Sequence, residues 1–150
     1  MPKPTIAIAV AVLLVGVAAA SETAEVMAPV HQFVDGFNKG DAKMALAACA
    51  DQTSIIDDFP PHEWHGAGAC AAWAQAYEAD AKEHGITDGI VTLGKPRAVD
   101  ISGDHAYVVV PASFTYKQKR KPVKETGATL TLVLLRGAAV WRITAWSWAK

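Results

Sequence analysis

The change of periodicity near Ile86 constrains the fold of this chain more than any other feature. Before Ile86, apolar residues recur at the three- and four-residue spacing of helices, whereas β-branched and aromatic segments typical of strands follow it. These later segments are expected to form two hairpin pairs, with turns at residues 102–105 and around Gly137. Helices early in the chain and antiparallel strands late predict an α+β fold in which a curved sheet wraps around helices.

Three helical segments precede this change. The first carries an apolar stripe at helical spacing, made of Val26, Val30, Phe33, Val34 and Phe37. Because a proline inside a helix kinks it, Pro29 predicts that the well-formed part begins near Ala28. Asp41 can cap a second, short helix over residues 42–49, and Gly66 is expected to open the third.

The stretch between the second and third helices concentrates titratable side chains around a rigid turn. Residues 53–56 predict a short strand that ends at two adjacent carboxylates, Asp57 and Asp58, before a pair of prolines that cannot donate to a β-ladder. Side chains alternate along a strand, so at most one of these carboxylates faces inward. In an apolar pocket its pKa would be raised, as a general base requires, while a carboxylate bonded to turn N–H groups is the alternative.

Two histidines follow in the same stretch. His62 is a candidate catalytic residue for proton transfer, with an exposed surface histidine as the alternative. His62 and His65 could suggest metal ligands, but a His-x-x-His pair without a third fixed ligand is a weak signal. We therefore expect no metal site and no other cofactor.

Residues 1–20 are typical of a secretory leader. Lys3 supplies a positive charge, residues 6–17 form an unbroken apolar run, and the alanines at 18–20 match the pattern that signal peptidase cleaves. A membrane anchor is the alternative, but a spanning helix needs about 20 apolar residues and this run is shorter. The sequence thus predicts a signal peptide over residues 1–20 and one domain over residues 21–150, periplasmic or secreted and free of the membrane after cleavage.

Export bears on the interpretation of the chain's two cysteines, Cys49 and Cys70. An even pair in an oxidising compartment predicts a disulfide, which would tie the end of the second helix to the start of the third. Two small buried thiols are the alternative.

The charge distribution argues against a nucleic-acid-binding protein. The chain has 14 basic and 15 acidic residues, and its one basic block, residues 117–124, is predicted to be the solvated tip of a hairpin. We therefore expect no nucleic-acid partner.

Four features stand in a recognisable order: Phe37-Asn38-Lys39-Gly40-Asp41, the strand ending at Asp57-Asp58, Gly66, and Trp141-Arg142-Ile143. In this order they resemble the NTF2-like superfamily, and most closely its SnoaL-like and ketosteroid-isomerase-like branch. The resemblance implies a cone, in which three N-terminal helices pack on a strongly curved, mostly antiparallel sheet and leave an apolar pocket at the wide end. This superfamily includes isomerases, cyclases, dehydratases and binding modules, so the fold does not specify the function.

The resemblance also implies roles for single residues. Asp57 falls where ketosteroid isomerase has its general base, which assigns Asp57 to the pocket and leaves Asp58 outside it to cap the turn. The family's oxyanion tyrosine corresponds here to Phe33, which cannot donate a hydrogen bond, and its second aspartate has no counterpart within residues 129–135. Steroid isomerisation by that arrangement is therefore not expected. SnoaL-type cyclases, which use a carboxylate as general acid/base, remain an open class.

Aromatic side chains are the candidate ligand-binding residues. Ordinary core packing explains most of them, but a pocket for a flat apolar ligand would also use such residues: Phe33, Phe37, Trp64, Tyr77, Trp146 and Trp148. The sequence therefore predicts an exported domain that binds a small apolar or aromatic molecule without turnover. The alternative is an isomerase, cyclase or lyase that uses Asp57.

The late strands are apolar on both faces, as at Val108, Val109 and Val110 and again over residues 132–135. A sheet with only one buried face should alternate with polar residues. The excess of apolar residues predicts a homodimer, which in the superfamily commonly forms through the convex face of the sheet.

Overall fold

Residues 9–150 are described by the computed structural model, with side chains described from residue 16 onward, and this part of the chain contains three helices and seven strands. The helices are α1 (Ala9–Lys39), α2 (Ala42–Ala47) and α3 (Ala69–His84). The strands are β1 (Cys49–Ile56), β2 (Glu63–Ala67), β3 (Ile86–Leu93), β4 (Ala98–Ser102), β5 (His105–Gln118), β6 (Lys121–Gly137) and β7 (Val140–Ala149). They form one sheet in the order β2-β1-β7-β6-β5-β3, and β4 also pairs with β5.

The sheet confirms the predicted α+β architecture. Neighbouring strands run antiparallel except for β1 and β7, which are parallel. Two details differ from the prediction. The third helix follows two strands, so the helices are not all N-terminal. The strand expected to continue past Pro96 is divided into β3 and β4, because a proline has no N–H to donate to a β-ladder.

The start of α1 also differs from the prediction. The helix does not begin near Ala28 but is continuous from Ala9 and runs through Pro29. Val26 and Val30, on either side of the proline, are both fully buried. Core packing on both sides of Pro29 therefore offsets the loss of the helical hydrogen bond that the proline cannot donate.

The predicted signal peptide lies only partly within the described chain. Residues 1–8 fall outside the described residues, and residues 9–20 form the first part of α1. Among the described residues, no helix combines the length and apolar character needed to cross a membrane.

β1 and β2 form a hairpin that the sequence did not predict. β1 begins at Cys49 rather than at residue 53, and Gly66, the expected start of a helix, lies in β2 opposite Thr53. The turn is closed by the Asp57 N–H, which donates to the His62 carbonyl at 3.1 Å. Pairing with β1 satisfies the backbone groups of residues 63–67, so α3 begins only after this strand.

The predicted disulfide between Cys49 and Cys70 is present, with the two Cα atoms 6.6 Å apart. It joins the first residue of β1 to the first turn of α3. Cys49 was expected to end the second helix and instead begins β1, because α2 is only six residues long. The disulfide therefore fixes α3 against the strand that leads to Asp57.

The concave face of the sheet packs against the helices and forms the core. Val108, Val110, Leu132 and Leu134 are buried there, whereas Tyr107, on the convex face, is 47% exposed. This alternation places the inner residues of β5 and β6 toward α1 and α3.

Candidate functional site

A cavity of about 190 Å³ opens between α1, α3 and the concave face of the sheet. Nine of the twelve aromatic residues of the chain line it: Phe33, Phe37, Phe59, Trp73, Tyr77, Phe114, Tyr116, Trp146 and Trp148. Its charged lining residues are Asp57, Asp58, Asp80, Glu125 and Lys150. A concave, mostly aromatic surface with a few convergent polar groups is the usual form of a small-molecule site.

The floor of the cavity is formed by Phe33, Trp73, Trp146 and Asp57, which are each at most 9% exposed. Trp73 lies at its centre. The Trp73 ring centroid is 4.9 Å from that of Trp146, 5.7 Å from that of Phe33 and 5.9 Å from that of Tyr77. Aromatic pairs at these separations attract each other beyond the area that they bury. The floor is therefore a tightly packed aromatic surface with one carboxylate in it.

Both carboxylate oxygens of Asp57 accept hydrogen bonds. The indole N–H of Trp73 donates to Oδ2 at 2.8 Å, and the backbone N–H of Asp58 donates to Oδ1 at 2.7 Å. Burial raises the pKa of Asp57 to about 6, and these two bonds limit the rise because they stabilise the charged form. Among the described residues, no lysine, arginine or histidine forms an ion pair with Asp57.

The mouth of the cavity is formed by Asp58, Tyr116, Glu125 and Lys150. The Lys150 ammonium lies 2.6 Å from Asp58 Oδ2 and 2.5 Å from Glu125 Oε2, and the Tyr116 hydroxyl donates to Glu125 Oε1 at 2.9 Å. The side chains of Asp58 and Lys150 are each 42% exposed, so solvent reaches the contact between them.

The expectation that Asp58 faces away from the pocket and caps the turn is wrong. Its side chain lines the cavity and contacts Lys150. The β-ladder ends at Ile56, so the strict alternation of a strand no longer applies to the two residues that follow.

Tyr77 brings a hydroxyl group to the wall of the cavity. The hydroxyl lies against Gly89 of β3, where a Cβ atom would be only 3.1 Å from Tyr77 Oη. It has no hydrogen-bond partner among the described residues. Burial, followed by the negative charge of Asp57, raises the pKa of Tyr77 to about 12. At neutral pH this hydroxyl is therefore protonated and able to donate.

Most of the predicted site residues lie at the cavity: Phe33, Phe37, Asp57, Tyr77, Trp146 and Trp148. Two do not line it. Trp64 is buried and packs against Phe59, with ring centroids 5.1 Å apart. His62 is exposed, and its Nδ1 lies 3.1 Å from the backbone carbonyl oxygen of Asp57.

His65, which was considered only as one of two weak metal-ligand candidates, is exposed and its Nδ1 lies 3.2 Å from Glu63 Oε1 at the surface. Among the described residues, no three His, Cys, Asp or Glu side chains come close enough together to hold a metal ion.

Several cavity residues were not among the candidates from the sequence: Phe59, Asp80, Phe114, Glu125 and Lys150. Phe114 alternates with Tyr116 on β5, and that pattern could have identified it. Glu125 and Lys150 carry no local signal. Lys150 contacts both Asp58 and Glu125 because β7 lies between β1 and β6 in the sheet.

No protein-family model and no curated protein matches the sequence. Solved structures do match. An NTF2-like protein with a cystatin-like fold from Novosphingobium aromaticivorans has a TM-score of 0.71 at 15% identity, over 91% of this chain and 86% of that chain. A ketosteroid isomerase-like protein from Erwinia carotovora atroseptica has a TM-score of 0.64 at 19% identity, over 85% and 94%. The hexachlorocyclohexane dehydrochlorinase LinA-type3 from Novosphingobium barchaimii has a TM-score of 0.74 at 11% identity, over 87% of both chains.

Identities this low establish a shared fold and leave the function to be argued from the site. Each of these matches covers at least 85% of this chain, so the similarity extends over both the helices and the sheet. The chain has the fold of the NTF2-like superfamily, as its sequence motifs predicted.

Proposed function

We propose that this domain binds a small, mainly apolar or aromatic molecule in the cavity. The main support for this proposal is that nine aromatic side chains line the cavity around one buried carboxylate, that of Asp57. A cavity of about 150 Å³ holds benzene. The volume of about 190 Å³ therefore suits a molecule with one aromatic ring and a short substituent.

Mass spectrometry of small molecules released from the purified protein by denaturation tests this proposal. Val91 lines the cavity, so Val91→Trp should fill it and abolish retention. Thr92, the next residue on β3, is exposed, and Thr92→Trp is the matched control, which should retain the molecule. Equal retention by both variants would show that the molecule binds elsewhere.

A second candidate function is general acid/base catalysis by Asp57. Two features favour it: the raised pKa of Asp57, about 6, and the hydroxyl of Tyr77 in the same cavity, which has no hydrogen-bond partner in the described part of the chain. Asp57 would remove a proton from a carbon next to a carbonyl group, and Tyr77 would donate a hydrogen bond to the oxygen that gains negative charge. Tyr77 would then supply the donor that Phe33 lacks.

Deuterium exchange into a panel of small aromatic ketones in D₂O tests catalysis separately from binding. Asp57→Asn should abolish exchange, and Tyr77→Phe should slow it by about 10²-fold or more, as the loss of an oxyanion donor does elsewhere. If the wild-type protein binds these ketones but does not exchange their protons for deuterium, the domain is a binding module without this activity.

We also propose that the domain is exported and works in the periplasm or outside the cell. The leader-like residues 1–20 and the disulfide between Cys49 and Cys70 support this, since disulfides persist in oxidising compartments. N-terminal sequencing of protein purified from the periplasm or medium should begin at Ser21. A mature protein that begins at residue 1 would contradict export by cleavage.

A homodimer through the convex face of the sheet is a further part of the proposal. Tyr107 and Ile56 are 47% and 60% exposed on that face, and partly exposed Val109 and Val133 lie between them. Light scattering of the protein without residues 1–20 should give twice the chain mass, and Tyr107→Lys should give the monomer mass. A wild-type monomer at micromolar concentration would contradict the dimer.

A further inference from the structure

The charges around the cavity distinguish between ligands of the same size. Four carboxylates line it, those of Asp57, Asp58, Asp80 and Glu125, against the single ammonium of Lys150 among the lining residues. When all of these groups are ionised, the lining has an excess of three negative charges. A cleft lined mainly by one sign of charge attracts ligands of the opposite sign and repels those of the same sign.

Lys150 does not neutralise the buried carboxylate. Its ammonium is shared between Asp58 and Glu125 at the mouth. Asp57 has only the neutral N–H donors of Trp73 and the Asp58 backbone, and no ion-pair partner in the described part of the chain. Buried charges in proteins are normally paired. A cation bound beside Asp57 would supply the countercharge that the protein itself lacks there.

The rings next to Asp57 suit the apolar part of such a ligand. Trp73 donates to Asp57 from the edge of its ring, and its face stacks with Tyr77 at an interplanar angle of 24°. The amino group of a ligand would therefore pair with the carboxylate, while the aromatic lining encloses the rest of the molecule.

On the basis of the proposed binding function, we infer that the ligand is an organic amine, with a protonated amino group that pairs with the Asp57 carboxylate and a body of about one aromatic ring. The contact that Lys150 makes with two carboxylates at the mouth is an internal example of the same chemistry. The amine replaces no hydrogen bond of Asp57, because each carboxylate oxygen accepts one bond from the protein and has a further lone pair.

Three probes of similar size and different charge test this inference: phenethylamine, phenethyl alcohol and phenylacetate, each titrated into the full chain by calorimetry at neutral pH. We expect the amine to bind about tenfold to a hundredfold more tightly than the alcohol, the range for a hydrogen bond to a charged group. Phenylacetate should bind most weakly. This ranking in the wild-type protein decides the question even if a cavity variant fails to fold.

Asp57→Asn should remove the preference for the amine and leave the affinity for the alcohol within about twofold, since asparagine keeps the size of the side chain and removes its charge. Asp100 is exposed on β4, and Asp100→Asn, which removes the same charge outside the cavity, should keep the preference. Equal or tighter binding of the alcohol or of phenylacetate would overturn the inference and leave the proposed binding function intact. Failure of all three probes to bind would overturn both.

Discussion

Asp57 and Asp58 are adjacent in the sequence but lie in different parts of the cavity. Asp57, on the floor, is 9% exposed and is held by two N–H donors. The side chain of Asp58, at the mouth, is 42% exposed and contacts the ammonium of Lys150. Burial raises the pKa of Asp57 to about 6. The comparison shows how one step along the chain separates a buried carboxylate from a solvated one.

The difference has energetic consequences. A buried charge loses much of its hydration, so each hydrogen bond to it matters, whereas exposed ion pairs typically contribute only about 0–1 kcal/mol. We therefore expect changes to the floor to alter the free energy of unfolding strongly and changes to the mouth to alter it weakly. The following predictions test this contrast between the floor and the mouth.

The largest effect is expected from removing the disulfide that holds the floor. Replacing Cys49 and Cys70 together by serine should lower the free energy of unfolding by about 3 kcal/mol, because the bond closes a loop with a sequence separation of 21. Urea denaturation of the wild type with and without reductant measures this effect, and the double variant should be insensitive to reductant. A loss below about 1 kcal/mol would show that packing alone fixes α3 against β1.

The next effect concerns the hydrogen bond from Trp73 to Asp57. Trp73→Phe keeps a ring but removes the donor, and should lower the free energy of unfolding at neutral pH by about 2 kcal/mol more than a matched control. Trp146→Phe is that control, since Trp146 is equally buried on the floor and its indole N–H has no partner among the described residues. Equal losses in both variants would show that the bond to Asp57 contributes nothing beyond ring packing.

A smaller effect of opposite sign is expected for Asp57→Asn. The pKa of Asp57 is raised from 3.8 to about 6, so the folded state favours the protonated form. The stability that the folded state gains from holding this proton is fully present below pH 3.8 and is lost as the pH rises through about 6. At pH 7 the variant should be more stable than the wild type by about 1 kcal/mol, after allowance for one weakened hydrogen bond.

Unfolding of the wild type and Asp57→Asn at a series of pH values checks this sign. The advantage of the variant should disappear as the pH falls to 4, where wild-type Asp57 is mostly protonated. A variant that is less stable than the wild type at pH 7 but not at pH 4 would mean that folding favours the ionised carboxylate.

The smallest effect is expected at the mouth. Asp58→Asn removes the carboxylate from the exposed contact with Lys150, which keeps its contact with Glu125, and should change the free energy of unfolding by about 0.5 kcal/mol or less, because exposed ion pairs are screened. Thermal unfolding at low and high salt measures it. A loss as large as that of Trp73→Phe would remove the distinction between floor and mouth.

The sequence by itself predicted the order of the helices and of most strands, the position of Asp57 directly after β1, and a disulfide between Cys49 and Cys70. Each of these depends on local signals: apolar periodicity, proline and glycine positions, and an even cysteine count in a chain whose first 20 residues are typical of a leader. It also identified five of the nine aromatic lining residues, including Phe33 and Phe37, because the apolar stripe on α1 must face the sheet. It missed β2, since five residues around a glycine carry too short a pattern to reveal a hairpin.

Only the tertiary structure decided what surrounds Asp57. The Trp73 donor, the Tyr77 hydroxyl and the contacts of Lys150 with Asp58 and Glu125 join residues from different elements. These contacts depend on the packing of α3 and on the register of β6 and β7. No local sequence pattern indicates either of these. The burial that raises the pKa of Asp57 arises in the same way, from aromatic rings that come together only when the sheet curves around the helices.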